Sequence, residues 1–533
     1  MHRGKPDSRQ GIGLGVAYIC AGLLVALDPR TTHDEGLLMY GFARSLGEAF
    51  VPCLFLQKIK PALALVYAPV ARFGLAPYMF LHLVVAAATI VWTHAIARSL
   101  QHKRPWLPAV VVALSPLYTW SALTGVSNSD GVAATALFLY LLEARKNLFA
   151  AGLVLGLLPW IRYEQALFSA VLAPWVLYRH RGPAFLGGLV TWPIAYLGSG
   201  AIYHRDPLWF VHFLPNVSNL ESGNPVWLAE FASHGPRTAV VSLAMVSPAV
   251  FFLPLVRTRG LRPIERLLGA FTVLFFVAFV VTHLAPRDIG PAFTLGFSSR
   301  YAVVPLVAVA LLLGRVVEAL EADVRPRLRD TLAAAALLAL GFQFRAAMVA
   351  PLIASAAVGT VVAAARAGAK KLTVALALSF LVVLPLHLKD DLFTSFPVRD
   401  ETLEPIAAWL DANAPKAEVY TNHQLLASYL RRTDRSVGAQ IKFMLAVDHR
   451  FELVHLSNPA NGQRAAVLDA IPRSVFGAVV QPEPLDPNSV PNGTLFILID
   501  DARTKEILPP ERWSKRLRLI HRGSKFLVFE LLP

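Results

Sequence analysis

A chain of 533 residues with 55% hydrophobic content, a mean hydropathy of +0.51 and a formal net charge of +15 is not a soluble globular protein. Two cysteines, Cys20 and Cys53, give no disulfide framework and no zinc motif. Residues 389–533 carry 18 Lys/Arg against 18 Asp/Glu, so the whole basic excess, 32 against 17, lies in residues 1–388. That excess sits in short loops between apolar runs, which is the positive-inside pattern beside anionic lipid and points away from nucleic acid.

The basic start Met1–Gln10 precedes an apolar run at 11–27 without a small-residue cleavage site, so it reads as an uncleaved first helix. Further runs follow at 78–97, 107–123, 131–142, 148–159, 164–178, 184–203, 238–256, 267–284, 301–314, 331–342, 346–365 and 372–388. Several are shorter than the ~20 residues of a full crossing and must extend into their flanks or pair as broken helices. Alternate loops carry the basic residues, among them Arg98, Lys103 and Arg104, then Arg145 and Lys146, then Arg257 to Arg266. About thirteen crossings therefore predict a multi-pass membrane protein with a cytoplasmic N-terminus and an outer C-terminus. The Ala/Leu/Arg-rich composition points to a bacterial inner membrane.

Between the first two runs, Pro61–Phe73 is apolar but too short to span and is expected to lie along the interface. His204 to Pro236 is rich in Trp, Phe, Pro and Asn. It reads either as an aromatic belt at headgroup level or as cover for a lipid or sugar. Past about 388 the pattern changes. Thr402–Asn413 has helical spacing, while Ala417–Thr421, Gly493–Ile499 and Phe526–Leu531 read as strands. The expected organisation is a polytopic α-helical membrane part, 1–388, and a small extracytoplasmic soluble α/β domain, 389–533. No Walker loop and no GxGxxG after a strand occurs, so nothing supports a nucleotide-sugar donor.

Ionisable groups at membrane depth are expensive, by ~2.5–3.5 kcal/mol on insertion scales, and are candidates for function. Asp34 and Glu35 follow the first run in His33-Asp34-Glu35. Lys58 and Lys60 stand just before the interfacial helix, Arg162 and Glu164 in the turn between two short runs, and Arg300 at the start of a late run. Asp130, in Asn128-Ser129-Asp130, offers a further carboxylate. By the charge pattern all face the outer side. A carboxylate there suits acceptance of a nucleophile's proton, and Arg and Lys suit a departing phosphate. Each has a structural alternative. Asp34 suits a helix N-cap, Glu35 a first-turn dipole partner, Ser129 or Asp130 an N-cap, and Arg162 with Glu164 an internal ion pair. The lysines suit snorkelling to headgroups, and Arg300 suits anchoring a helix end. His33, His82, His94 and His283 are scattered, and no cofactor is assigned. A divalent metal is compatible with the chemistry, but no ligand spacing supports one.

With these residues the chain resembles the GT-C superfamily of integral-membrane glycosyltransferases, in the style of bacterial aminoarabinose transferases and protein O-mannosyltransferases. The resemblance rests on His33-Asp34-Glu35 with Tyr40, Ala43 and Arg44, on Lys60-Pro61-Ala62-Leu63, and on Arg300-Tyr301 with Pro305. It implies a polyprenyl-phosphate-linked sugar donor, a lipid, glycan or protein acceptor, and an outward-facing active site. Asp34 would then be the general base or the acid that positions the acceptor, with Glu35 supporting it. Lys60 and Arg300 would lie near the donor phosphate. The residue reading adds Arg162 and Lys58 as further phosphate contacts and Asp130 or Glu164 as a possible second acid. The aminoarabinose transferases have an acid, then Lys and two prolines. Here Pro61 is followed by Ala62, and Gln57-Lys58-Ile59 supplies no acid. A rival reading is a lipid or solute transporter using the same groups, although no repeat of spans relates the two halves.

Overall fold

The computed structural model describes residues 9–27, 34–46, 60–162, 164–209, 260–284, 299–321, 403–414, 419–421, 492–493, 495–499, 516–523 and 526–533, with isolated positions between them. Lys58, His33, the runs at 331–342, 346–365 and 372–388, and most of 238–256 lie outside the described residues. So does nearly all of the aromatic segment after Trp209. The chain divides into two compact units. Unit 1 comprises 1–27, 79–193 and 224–395; unit 2 comprises 28–78, 194–223 and 396–533.

The described helices, in chain order, are α1 (Arg9–Ala26), α2 (Asp34–Ser45), α3 (Pro61–Ala71), α4 (Leu75–Ser99), α5 (Trp106–Ala113) and α6 (Pro116–Thr124). They continue with α7 (Asn128–Leu139), α8 (Leu148–Ile161), α9 (Gln165–His180), α10 (Pro183–His204), α11 (Pro263–Leu284) and α12 (Leu306–Glu321). A π turn, Tyr140–Arg145, extends α7, and a 3₁₀ turn, Ser299–Val303, precedes α12. Among the described residues, Leu75–Ser99 and Pro183–Tyr203 are each long and apolar enough to cross a membrane. The run at 107–123 is not one straight helix. It breaks at Ser115–Pro116 and the two pieces bend by 62°. Pro116 has no N–H to continue the ladder and restricts Ser115 to an extended conformation. The Ser115 hydroxyl instead accepts from the Tyr118 N–H at 3.4 Å, capping α6.

Unit 1 is held by apolar packing of α1, α4 and α6, where Ala26, Leu83 and Leu123 meet. A second contact is an edge-on ladder of Phe138, Phe168 and Phe271, with ring centroids 5.9 and 5.0 Å apart. A close crossing joins α8 to α10. A Cβ at Gly152, Gly156 or Gly188 would run into the facing helix's backbone carbonyl, so only glycine lets the two backbones meet.

In unit 2, α2 packs on α3, with Tyr40 and Tyr67 both against Tyr78 at 5.5 and 5.0 Å. Its tail forms a small α/β layer. Strands β1 (Val419–Thr421), β2 (Leu495–Ile499), β3 (Leu517–Arg522) and β4 (Phe526–Leu531) lie in the order β1-β2-β4-β3. The β1–β2 pair is parallel and the other pairs are antiparallel. Helix α13 (Leu403–Asn413) covers the sheet, burying Ile406 and Leu410 against Leu495, Ile497, Phe526 and Val528.

Candidate active site

The sequence candidates fall into two groups, one in each unit. In unit 2, α2 begins at Asp34, and Glu35 follows in its first turn. Lys60 is the residue before α3, with Pro61 at the first helical position, where a missing N–H costs nothing. The packing of α2 on α3 brings Glu35 and Lys60 into an ion pair. Both side chains are largely buried, 11% and 18% exposed, so this pair is much less screened than one at the surface. Arg44 donates to the Tyr40 hydroxyl at 3.2 Å one turn further along the same helix.

In unit 1, α8 ends at Ile161 and α9 begins at Gln165, so Arg162 and Glu164 occupy the turn between them. Arg162 Nε donates to Glu164 Oε1 at 2.5 Å, and its Nη1 donates to the Ser127 hydroxyl at 2.8 Å. Its guanidinium stands 4.9 Å from the centre of the Tyr301 ring. Arg300 is the neighbouring residue in the 3₁₀ turn. The charged side chains of the pair are 2% and 1% exposed, so neither would be stable there without the other. Among the described residues, Glu164 Oε2 has no hydrogen-bond partner.

Asp130 sits in the first turn of α7. The expected N-cap at Ser129 or Asp130 is displaced to Ser127, and Ser127 makes no side-chain cap. The carboxylate turns instead to His82 on α4, with Oδ2 3.0 Å from Nε2. The other ring nitrogen, Nδ1, is 3.0 Å from the Ala122 carbonyl, which can only accept. The Ser129 hydroxyl stands 3.4 Å from the same His82 Nε2. His82 is the residue the sequence reading passed over. The signal was its place within an apolar helix, where an ionisable group asks for a partner. That partner is 48 residues away, so no local spacing names it.

A third polar group, at the other end of α4 and α12, contains no sequence candidate. His102 Nε2 lies 3.1 Å from Glu265 Oε1, and Arg315 Nε donates to the same oxygen at 2.7 Å. Glu265 Oε2 accepts from the Arg262 N–H at 2.8 Å and from Arg315 Nη2 at 3.2 Å. Arg315 also donates to Glu318 at 2.8 Å and to the Leu100 carbonyl at 2.7 Å. Glu265 lies ahead of the apolar run at 267–284. Burial pushes its carboxyl up, but hydrogen bonds from His102, Arg315 and Arg262, with the charge of Arg315, outweigh this and hold it at about 2. Among the described residues no three His, Cys, Asp or Glu side chains gather so as to hold a metal ion.

No protein-family model matches the chain, and no curated protein matches it by sequence. Among solved structures it is similar to ArnT from Cupriavidus metallidurans bound to undecaprenyl phosphate. The TM-score is 0.52 at 13% identity, with 97% of each chain covered. It is also similar to the same protein in the apo state, with a TM-score of 0.48, 14% identity and 97% of each chain covered. At 13% identity the first likeness is one of fold, and it spans nearly the whole of both chains. The chain therefore shares the fold of that ArnT structure, as the resemblance of its first-loop and late-span residues led one to expect.

Proposed function

We propose that this chain is a glycosyltransferase of the membrane, moving a sugar from a polyprenyl-phosphate-linked donor to a lipid, glycan or protein acceptor at the extracytoplasmic face. The observation that carries the reading is the Glu35–Lys60 ion pair at the junction of α2 and α3. It joins an acid and a cation of the two first-loop motifs, within a fold shared end to end with a protein whose structure holds undecaprenyl phosphate.

In this reading Asp34, the first residue of α2, is the general base that takes the acceptor's proton as it attacks the anomeric carbon with inversion. Glu35 holds Lys60 in place, and Lys60 meets the negative charge that grows on the leaving phosphate. Arg300, Arg162 and Lys58 are proposed as further contacts of the donor phosphate, and Asp130 or Glu164 as a second acid. A planar guanidinium binds two phosphate oxygens at once, which an ammonium cannot. The membrane part is residues 1–388 and the tail from 389 is extracytoplasmic.

Mass spectrometry of lipid-linked sugars and envelope glycans from a deletion strain tests the proposal. Accumulation of one polyprenyl-phosphate sugar together with loss of one glycan is the expected result. Unchanged lipid-linked sugars, with solute uptake lost from vesicles and no covalent product missing, would favour a transporter instead.

A further inference from the structure

Arg162 and Arg300 are far apart in sequence, yet one side chain of unit 1 links the segments that carry them. Arg300 stands in the 3₁₀ turn Ser299–Val303, which leads through Pro305 into α12. A 3₁₀ turn has poorer hydrogen-bond geometry than an α-helix, so its position depends on packing. The Val304 N–H closes this one on the Tyr301 carbonyl at 3.1 Å. Tyr301, Ala302, Val303 and Val304 are all buried, and the turn packs on α7 and α6. Where Tyr301 is held, the backbone of Arg300 is held with it.

Tyr301 is held by a cation. The Arg162 guanidinium lies 4.9 Å from the centre of its ring. Two hydrogen bonds fix the plane of that guanidinium: Nε donates to Glu164 Oε1 at 2.5 Å and Nη1 to the Ser127 hydroxyl at 2.8 Å. Its stem is crowded as well, since a Cβ at Gly131 would come within 3.3 Å of Arg162 Cγ. Ser127 and Gly131 lie at the start of α7, the helix on which the turn packs. The contacts thus close a circuit from α7 to Arg162, to Tyr301 and back to α7. The Arg162 side chain is 2% exposed, and a cation–π contact is strongest where water is excluded. An aliphatic side chain could fill the same space, but only an aromatic face attracts the cation.

We propose that Tyr301 is a positioning residue for the donor phosphate: its ring, seated on the Arg162 guanidinium, fixes the turn that presents Arg300. The inference rests on the transferase reading and deepens it, by tying two of its proposed phosphate contacts into one unit. Tyr301 acts through Arg300 and not through its own hydroxyl.

The test uses the full chain in detergent micelles, titrated with undecaprenyl phosphate and read by native mass spectrometry. Tyr301→Leu should bind the probe about tenfold more weakly, the loss of a desolvated cation–π contact. Tyr301→Phe restores the ring and should recover the affinity. Tyr301→pentafluorophenylalanine keeps the ring's shape but removes its negative face, so it should bind more weakly than Tyr301→Phe even if Tyr301→Leu fails to fold. In an Arg300→Ala background, Tyr301→Leu should change affinity by less than about twofold, because residues that act through one another are not additive. Equal losses in Tyr301→Phe and Tyr301→Leu would mean that the hydroxyl is what counts, and would overturn the proposal. So would equal affinity of the fluorinated and unfluorinated rings, or a full tenfold effect of Tyr301→Leu without Arg300. A lower thermal midpoint with unchanged affinity would show that Tyr301 only packs, and would overturn it too. Sugar transfer from a radiolabelled lipid-linked donor is measured on the same variants. Tyr301-dependent binding without any transfer overturns the transferase reading alone, and transfer with Tyr301-independent binding overturns this proposal alone.

Discussion

Two buried polar networks lie at opposite ends of the same two helices of unit 1, and they differ in how completely the carboxylates Glu265 and Glu164 are satisfied. At one end of α4 and α12, Glu265 accepts four hydrogen bonds, two on each carboxylate oxygen, from His102, Arg262 and Arg315. At the other end, His82 meets Asp130 and Arg162 meets Glu164, leaving Glu164 Oε2 without a partner among the described residues. A carboxylate satisfied on both oxygens fastens the helices it joins, even though His102 Nδ1 in that network has no hydrogen-bond partner among the described residues. One left incomplete has lost stability that a bound donor would restore.

The largest effect that would break this comparison is on stability. Arg315→Met leaves Glu265 buried without its guanidinium, which should cost roughly 3–5 kcal/mol, read as a lower thermal midpoint in detergent. A small shift would mean that the Glu265 end is no fastening. The pH dependence is next in size. The folded carboxyl of Glu265 is lowered from 4.5 to about 2, so its contribution is complete above pH 4.5 and lost as pH falls towards 2. That amounts to roughly 3 kcal/mol. Thermal midpoints of the wild type should drop across that window, with a shallower drop in Glu265→Gln; parallel curves would contradict it. Asp130→Asn should cost least, under about 1 kcal/mol, because the amide can still donate to His82 Nε2. Sugar transfer should nevertheless fall roughly tenfold, as for a lost contact to a charged group. Equal small losses in both would make the Asp130 end as structural as the other.

Much of the helical frame was legible because apolar runs are long, and their bounds moved by only a few residues: 148–159 became Leu148–Ile161 and 184–203 became Pro183–His204. The break at Ser115–Pro116 was written in the sequence, but a run that is apolar on both sides of a proline reads as one span. Strand β3 was not legible. Ile520 is an extra residue between Leu519 and His521, opposite no partner on β4, so the alternation that marks a strand fails at that point. In the site, Glu35 and Lys60 were readable from short motifs, whereas His82–Asp130 joins helices far apart in sequence. Only packing reveals such a pair.

The central claim is a transfer with Asp34 as base, and the most direct measurement is the rate of label transfer from a radiolabelled polyprenyl-phosphate sugar in membranes containing Asp34→Asn. The account predicts a fall of about a hundredfold or more at wild-type expression, as expected for loss of a general base. Normal transfer by a well-expressed Asp34→Asn chain would contradict it.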